Sequence, residues 1–419
     1  MKNELEKGSL TLFIFTMATN IVNYMFQIMA ARVLPVESYG MLTAILSFIL
    51  IMSVPGNAIR MIASKYTAEC GEDSLPMLLT QMFVLTGAFS LAFLILGLAL
   101  VPVWDYVLKT SGFLFPAMAV VTVSILFFQL GAVGLAQGLR RFLLMAGIGF
   151  IAALIKILGI FICLLPLFAQ NRVAVLVVLL LLGNITASVG GYFLIKSKNG
   201  NVKLLPISAG IFKVKKFTAA FIGTAFALNL CQAAMMNVDI LTVRYRFPGY
   251  TSGIYSSAAQ FGKILIYAAI TLGSALYPIV AKTKADQSPT KHLYWRTSLY
   301  TLACVAVFVI PVLLFSDLIV KLMFGPRYLE SVPYIKYSCI LAVTVIFNTL
   351  NMNYLMAVGR VKTLLISFIA GICACLLCAA VLNQNIISML LGMSACLFIV
   401  YTVNVLDIAL RGDTALETC

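Results

Sequence analysis

Residues 237–263 read NVDILTVRYRFPGYTSGIYSSAAQFGK. Asp239 stands near the end of one apolar run, Arg244 and Arg246 lie in a short turn, and Lys263 falls about ten residues into the next apolar run. A charge at the centre of a membrane helix costs roughly 2.5–3.5 kcal/mol on the insertion scale, so such groups face an interior or a wet cavity rather than lipid. A carboxylate and an ammonium on either side of one turn raise the question of which interior needs them.

Composition fixes the setting. Hydrophobic residues make up 62% of the 419 and charged ones 10%, against about 25% charged in soluble proteins. The mean hydropathy is +1.05. Such a chain cannot cover a water-facing surface, and it reads as an all-α, polytopic membrane protein whose elements are sized by the bilayer at roughly 20 apolar residues each. The first apolar run, residues 10–31, is too long for a signal-peptide core and has no small-residue cleavage site after it, so it reads as an uncleaved span.

Breaking the sequence at charges, Pro/Gly clusters and polar loops gives twelve spans. Six run over residues 10–31, 40–59, 76–102, 112–137, 142–165 and 173–195, and six over 217–243, 253–280, 298–323, 333–357, 363–382 and 386–408. The third and ninth are long enough to imply tilt or an interfacial end. With the N-terminus inside, inside segments carry nineteen Lys and Arg and outside turns seven. The asymmetry predicts both termini on the cytoplasmic side of the plasma (inner) membrane. The +15 net charge is then mostly a topology signal spread over short loops, with no patch for nucleic acid.

The basic segment 196–216 separates two halves, giving lobes at 1–195 and 217–408 and a tail at 409–419. The halves repeat. ARVLPVESYGMLTA after the first span matches VRYRFPGYTSGIYSSA after the seventh, pairing Arg32 with Arg244 and Gly40 with Gly253. Lys65 pairs with Lys282, and LAQGLRR (135–141) with LMAVGRVK (355–362); the offsets are 212, 213, 217 and about 221. An even number of spans per half makes the repeats parallel, related by a pseudo-two-fold axis along the membrane normal. Two such lobes enclose a central cavity.

Polar residues within the spans fall in stripes. Thr16, Asn20, Asn23 and Gln27 share one face of the first span, and Asn229, Gln232 and Asp239 one stripe of the seventh. Ser256, Gln260, Lys263 and Tyr267 do so in the eighth, and Thr344, Asn348 and Asn351 in the tenth. Each stripe has two readings: amides that bridge neighbouring helices as packing glue, or the lining of a polar cavity. Lys263 lies about 15 Å along its helix, deeper than a lysine snorkels. Lys156 sits nearer an outer end. Asp239 reads either as a partner of Lys263 or as a local ion pair with Arg244 or Arg246. Arg32, Arg60 and Lys65 stand at membrane ends, where topology anchoring competes with substrate contact.

Chemistry is narrowed by what is missing. No carboxylate falls inside a first-half span, so the lining is cationic and amide-rich. It suits an anionic, phosphate-bearing substrate better than a cation. No carboxylate pair, nucleophile–base set or metal-ligand spacing occurs, the single histidine (His292) is in a loop, and outside loops are short. The chain reads as a transporter without cofactor or metal rather than an enzyme. Eight of the ten cysteines lie inside apolar runs and, the Cys375-x-x-Cys378 pair included, read as small buried residues, while Cys70 and Cys419 fall on the cytoplasmic side, where thiols stay reduced.

Four blocks carry a resemblance: ARVLPVESYGMLTAILSF at 31–48, the Asp239 to GIYSSA block at 239–258, FGPRYLESVPYI at 324–335 and MAVGRVK at 356–362. Together they resemble the Wzx-type oligosaccharide flippases of the polysaccharide transporter family, relatives of the lipid II flippases and the multidrug and toxin extruders. The family pattern maps onto Arg32, Tyr39, Gly40, Asp239, Gly253, Tyr255, Gly325, Tyr328 and Gly359. The resemblance implies alternating access between two six-helix lobes. The cargo would be a polyprenyl diphosphate bearing an oligosaccharide, moved from the inner to the outer leaflet for surface polysaccharide (O-antigen-type) synthesis. Partners would be that lipid, membrane lipids and other polysaccharide-assembly membrane proteins. In this reading Lys263, with Lys156 and Arg60, draws in the diphosphate. Asn20, Asn23, Gln27, Asn229, Gln232, Gln260, Asn348 and Asn351 bind sugar hydroxyls, while Arg32, Gly40, Asp239, Arg244 and Gly253 are structural or gating. A drug or cation antiporter and a lipid II-type flippase are the competing readings.

Overall fold

The computed structural model describes residues 2–69, 75–110, 112–198, 216–285, 288–382 and 384–410. Most of the 196–216 linker, the 411–419 end of the tail, Cys70 and Cys419 lie outside them. The described chain is helical throughout apart from turns, and it divides into two compact units at residues 222 and 223. The first holds α1 (Lys2–Val33), α2 (Val36–Met52), α3 (Val54–Glu69), α4 (Leu75–Ala99), α5 (Val101–Leu108), α6 (Leu114–Gly138), α7 (Phe142–Cys163) and α8 (Arg172–Lys198). Then follow α9 (Lys216–Met235), α10 (Val238–Arg246), α11 (Gly249–Ala285), α12 (Lys291–Leu314), α13 (Ser316–Met323), α14 (Val332–Val358), α15 (Val361–Val381) and α16 (Ile386–Leu410).

Among the described residues eight helices are long and apolar enough to cross a membrane, and ten spans result when each of two bent pairs counts as one. α1 and α11 occupy the predicted first and eighth positions. They carry two of the polar stripes.

In the first unit α6 is the central column, with α2, α3, α4, α7 and α8 packed on it. In the second, α14 holds the same place among α11, α12, α15 and α16. Their most apolar windows are 61% and 72% buried, against 22% for α4 and α12. Lipid tails give helices no hydrophobic reason to associate, so close backbone approach has to do it. A Cβ added to Gly134 of α6 would fall 2.4 Å from the Arg60 carbonyl of α3, and one on Gly262 of α11 would fall 2.9 Å from Ser338 Oγ of α14. Glycine is what lets these pairs touch.

The long third and ninth spans each resolve into a span and a short following helix, α4 with α5 and α12 with α13. The end of the fourth span also repeats, with a twist in register. After α14 the chain turns at Gly359 (φ 85), and Arg360 N–H reaches back to Leu355 O at 2.9 Å. After α6 the same 6→1 bond joins Arg141 to Ala136 at 2.9 Å, but Arg140 (φ 56) takes the left-handed position. Gly138, the glycine that the sequence aligns with Gly359, is instead pressed against the Ser64 carbonyl, where a Cβ would come within 2.6 Å.

Two of the predicted spans are broken. α2 and α3 meet at 40°, where Pro55 lacks an N–H and its ring clashes with the carbonyl four residues back. α9 and α10 meet at 50° without any proline or glycine. There Asn237 bends the chain by itself. Its backbone N–H bonds Ala234 O at 3.0 Å, three residues back, while its side-chain Nδ2 takes the Ala233 carbonyl at 2.9 Å that the helix ladder would have used.

Candidate functional site

The break at Asn237 is the centre of a polar cluster in the second unit. Lys263, two turns down α11 from Tyr255, donates from Nζ to Asn237 Oδ1 at 2.7 Å. One side chain thus bends span seven with its nitrogen and anchors the lysine with its oxygen. Asp239, in the first turn of α10, accepts from the Tyr255 hydroxyl through Oδ2 at 2.6 Å. Its other oxygen, Oδ1, is buried and makes no hydrogen bond. Asp239 and Lys263 attract each other electrostatically, and both line a small pocket with Met236, Gly262 and Ser338. Of the partners that the sequence left open for Asp239, Lys263 is thus in range, and the direct bond goes to Tyr255.

A second lysine is held in the first unit. Lys156 of α7 is 9% exposed. Its Nζ donates to Asn23 Oδ1 of α1 and stands 4.6 Å from the centre of the Phe26 ring, a cation–π arrangement. One turn beyond Asn23, Gln27 Oε1 is buried and makes no hydrogen bond. Among the described residues no carboxylate acts on Lys156. Each unit therefore keeps one lysine at membrane depth, bound by a neutral amide on its own first span. Lys336, by contrast, is exposed, with its Nζ over Tyr337.

The remaining sequence-predicted residues part company. Asn20 is exposed and Asn23 half-buried. Asn229 Nδ2 returns to Ala225 O at 2.7 Å, and Gln232 Nε2 bonds Thr349 Oγ1 of α14 at 3.1 Å. Gln260 is buried. Asn348 donates to Thr344 O and to Leu397 O of α16, both at 2.9 Å. Asn351 is fully buried; its Oδ1 accepts from the Tyr294 hydroxyl at 2.7 Å and its Nδ2 reaches Tyr401 O. Both amides of α14 are thus engaged in holding α12 and α16 against it, the packing alternative of the two that their spacing left open. Arg60 is half-buried on α3, beside Gly134. Arg32 is exposed at the end of α1, Arg244 is buried on α10, Gly40 accepts from Thr43 Oγ1 at 2.9 Å, and Gly253 is buried in α11.

Sequence reasoning did not single out Asn237, Tyr255 as an acid's partner, Phe26 or Arg172, which clamps the end of α1 by donating to Val33 O at 2.8 Å. Asn237 had one visible signal, a polar residue in an apolar run with neither proline nor glycine beside it. The Cys378 and Cys396 sulfurs lie 3.4 Å apart between α15 and α16. No group of three or more His, Cys, Asp or Glu among the described residues is arranged to hold a metal.

No protein-family model matches the chain, and no curated protein matches it. Solved structures do. The lipid II flippase MurJ in an inward closed conformation superposes with a TM-score of 0.72 at 14% identity, covering 96% of this chain and 87% of that one. An inward-facing multidrug resistance MATE family transporter of the MOP superfamily gives 0.71 at 12%, covering 98% and 100%. A MOP superfamily transporter from Pyrococcus furiosus, described as having a binding pocket of reversed polarity, gives 0.67 at 14%, covering 99% and 96%. The chain has the all-α membrane-transporter fold that these proteins share.

Proposed function

We propose that the chain is a flippase that carries a polyprenyl-diphosphate-linked oligosaccharide from the cytoplasmic to the outer leaflet of the plasma membrane by alternating access. The observation that carries this reading is the amide-held lysine of each unit. An ammonium bonded to a neutral acceptor, as Lys156 is to Asn23, keeps a charge that an anionic cargo can use, while Asp239 takes up part of the charge of Lys263. In this proposal Lys156 offers the diphosphate an ammonium in the first unit and Lys263 one in the second, while Asn20, Asn23 and Gln27 of the first and Asn229 and Gln232 of the second are the candidates for glycan hydroxyls. Arg60 receives the headgroup on entry. Both termini are cytoplasmic, and enzymes that assemble the lipid-linked glycan are the partners upstream.

A second reading, a proton- or cation-coupled drug antiporter on the same fold, draws on the buried Asp239 carboxylate. Transport in proteoliposomes decides between them. The flippase reading expects protected-to-accessible conversion of a fluorescent polyprenyl-diphosphate oligosaccharide. Lys156→Met and Lys263→Met should each slow it; a lost charge-assisted hydrogen bond is worth about 10- to 150-fold. Uptake of a cationic dye that depends on Asp239, with no movement of the glycolipid, would overturn the flippase reading.

A further inference from the structure

The last two spans hold a feature that the proposed cargo path does not use. α15 and α16 touch at Gly371, where a Cβ would fall 2.4 Å from Val400 Cγ2. Beside that contact lies an open, apolar cavity of ≈390 Å³, lined by Ala370, Gly371, Ala374, Ile366, Ile399 and Val403. Ile366 is 70% exposed and Ile399 63%, so the cavity opens on the outer surface of two membrane spans. Of its polar lining, Thr363 stands at one end, and Ser367 Oγ is bonded to Leu364 O at 2.9 Å and to Asn404 Oδ1 at 3.1 Å. A dry groove at membrane depth is filled by hydrocarbon, because an unfilled one forfeits the contacts of its lining.

The groove has a direction. From Thr363 to Ala374 it runs along α15 for about 17 Å. Lys362 begins the same i, i+4 row as Ile366, Ala370 and Ala374, and it is exposed. A cation therefore stands at one mouth, in the first turn of α15.

The structure assigns this groove to the isoprenoid chain of an anionic polyprenyl lipid, with its phosphate at Lys362. The assignment rests on the flippase reading, which supplies the polyprenyl lipid. Ala370 and Ala374, with no side chain beyond Cβ, leave the room along α15 that the branched chain would occupy.

The test uses the whole protein in phosphatidylcholine nanodiscs and a sugar-free polyprenyl diphosphate with a diazirine in its chain. Photo-adducts mapped by mass spectrometry should concentrate on residues 363–374 and 396–403. Excess polyprenyl phosphate should suppress them and phosphatidylglycerol should not. Ala370→Leu with Ala374→Leu fills the groove away from the Gly371–Val400 contact and should cut labelling about five-fold. Lys362→Gln, on the surface, should cut it by less than about five-fold. Adducts spread evenly over other lipid-facing residues such as Leu96 and Val307, wild-type labelling in the filled variant, or equal competition by phosphatidylglycerol would each overturn the assignment. If labelling fails while the oligosaccharide lipid still crosses, the groove falls alone. Capture in the groove without any crossing sinks the flippase reading and leaves the groove.

Discussion

Replacing Tyr255 with phenylalanine removes a hydroxyl that donates to Asp239 and also meets Ser338 in the second unit, and the double-mutant cycle with Asp239 separates the first bond from the second. Tyr255 is fully buried and Asp239 is 6% exposed. The hydroxyl donates to Asp239 Oδ2 at 2.6 Å, and Oδ1 has no hydrogen bond to fall back on. Phenylalanine keeps the ring and its edge contact with Tyr334, 6.4 Å between centroids, so packing is nearly unchanged. A hydrogen bond to an ionised group contributes about 1.5–3 kcal/mol, and burial keeps water from replacing it. The expected loss is about 2 kcal/mol, or about 4–8 °C in the melting temperature of a cooperative unit of this size. Asp239→Asn supplies the control, since it preserves shape and removes charge. In that background the bond is neutral and Tyr255→Phe should cost only about 1 kcal/mol, leaving a coupling energy of about 1 kcal/mol in the double-mutant cycle. Thermal melts of detergent-solubilised protein, followed by size-exclusion chromatography, read all four corners. A Tyr255→Phe variant that melts with the wild type, or one that loses the same amount in both backgrounds, would show that no ionised carboxylate accepts this bond.

Three further outcomes follow from the packing. Gly134→Leu should destabilise the first unit by about 1–3 kcal/mol, because its Cβ meets the Arg60 carbonyl at 2.4 Å and Ala63 Cβ at 2.9 Å; Gly149→Ala, with nothing within 4 Å, should raise the melting point by the helix-propensity gain of about 0.5–1 kcal/mol. Asn351→Leu deprives the buried Tyr294 hydroxyl of its 2.7 Å acceptor and should cost about 2 kcal/mol, read in the same melts. A membrane-permeant oxidant should join Cys378 to Cys396, whose sulfurs are 3.4 Å apart, removing those two thiols from later alkylation while the exposed Cys304 and Cys373 remain reactive.

The spans were legible because the bilayer imposes one length on every apolar run, and the repeat was legible because both units build the same turns from related strings. The broken spans separate what sequence can and cannot carry. Pro55 announces its bend by lacking an N–H. Asn237 does not, because its side chain bends the helix only by outcompeting its own backbone for Ala233 O, and the Lys263 that anchors it comes from the next span. The polar stripes were readable as faces, since residues three and four apart share a side of a helix. Spacing does not say what that side meets. Asn348 and Asn351 share a face directed into their own unit, towards Leu397 and Tyr401, and the same periodicity in α1 leads from exposed Asn20 to the amide that holds Lys156. Gly138 shows the same limit: the repeat aligns it with Gly359, yet the backbone of α3 requires a glycine there and it is Arg140 that adopts φ 56.

The unequal surroundings of the two lysines reverse the order of importance that the sequence suggested. Lys263 is deeper in its span and drew attention first, yet Asp239 shares its pocket and attracts it. Opposite charges that share a pocket poor in water attract each other more strongly than they would in solvent. That attraction, already spent on Asp239, is subtracted from what Lys263 can offer a diphosphate. Lys156 is held by Asn23 and the Phe26 ring, both neutral, and among the described residues no carboxylate acts on it. An anion arriving there meets an undiminished charge. Under the flippase reading, Lys156→Met should therefore weaken capture of polyprenyl diphosphate more than Lys263→Met does, measured as Kd in nanodiscs. Asp239→Asn should tighten it by freeing Lys263. Equal losses at the two lysines, or an Asp239→Asn variant that binds the anion more weakly, would mean that charge at these positions serves the fold rather than the cargo.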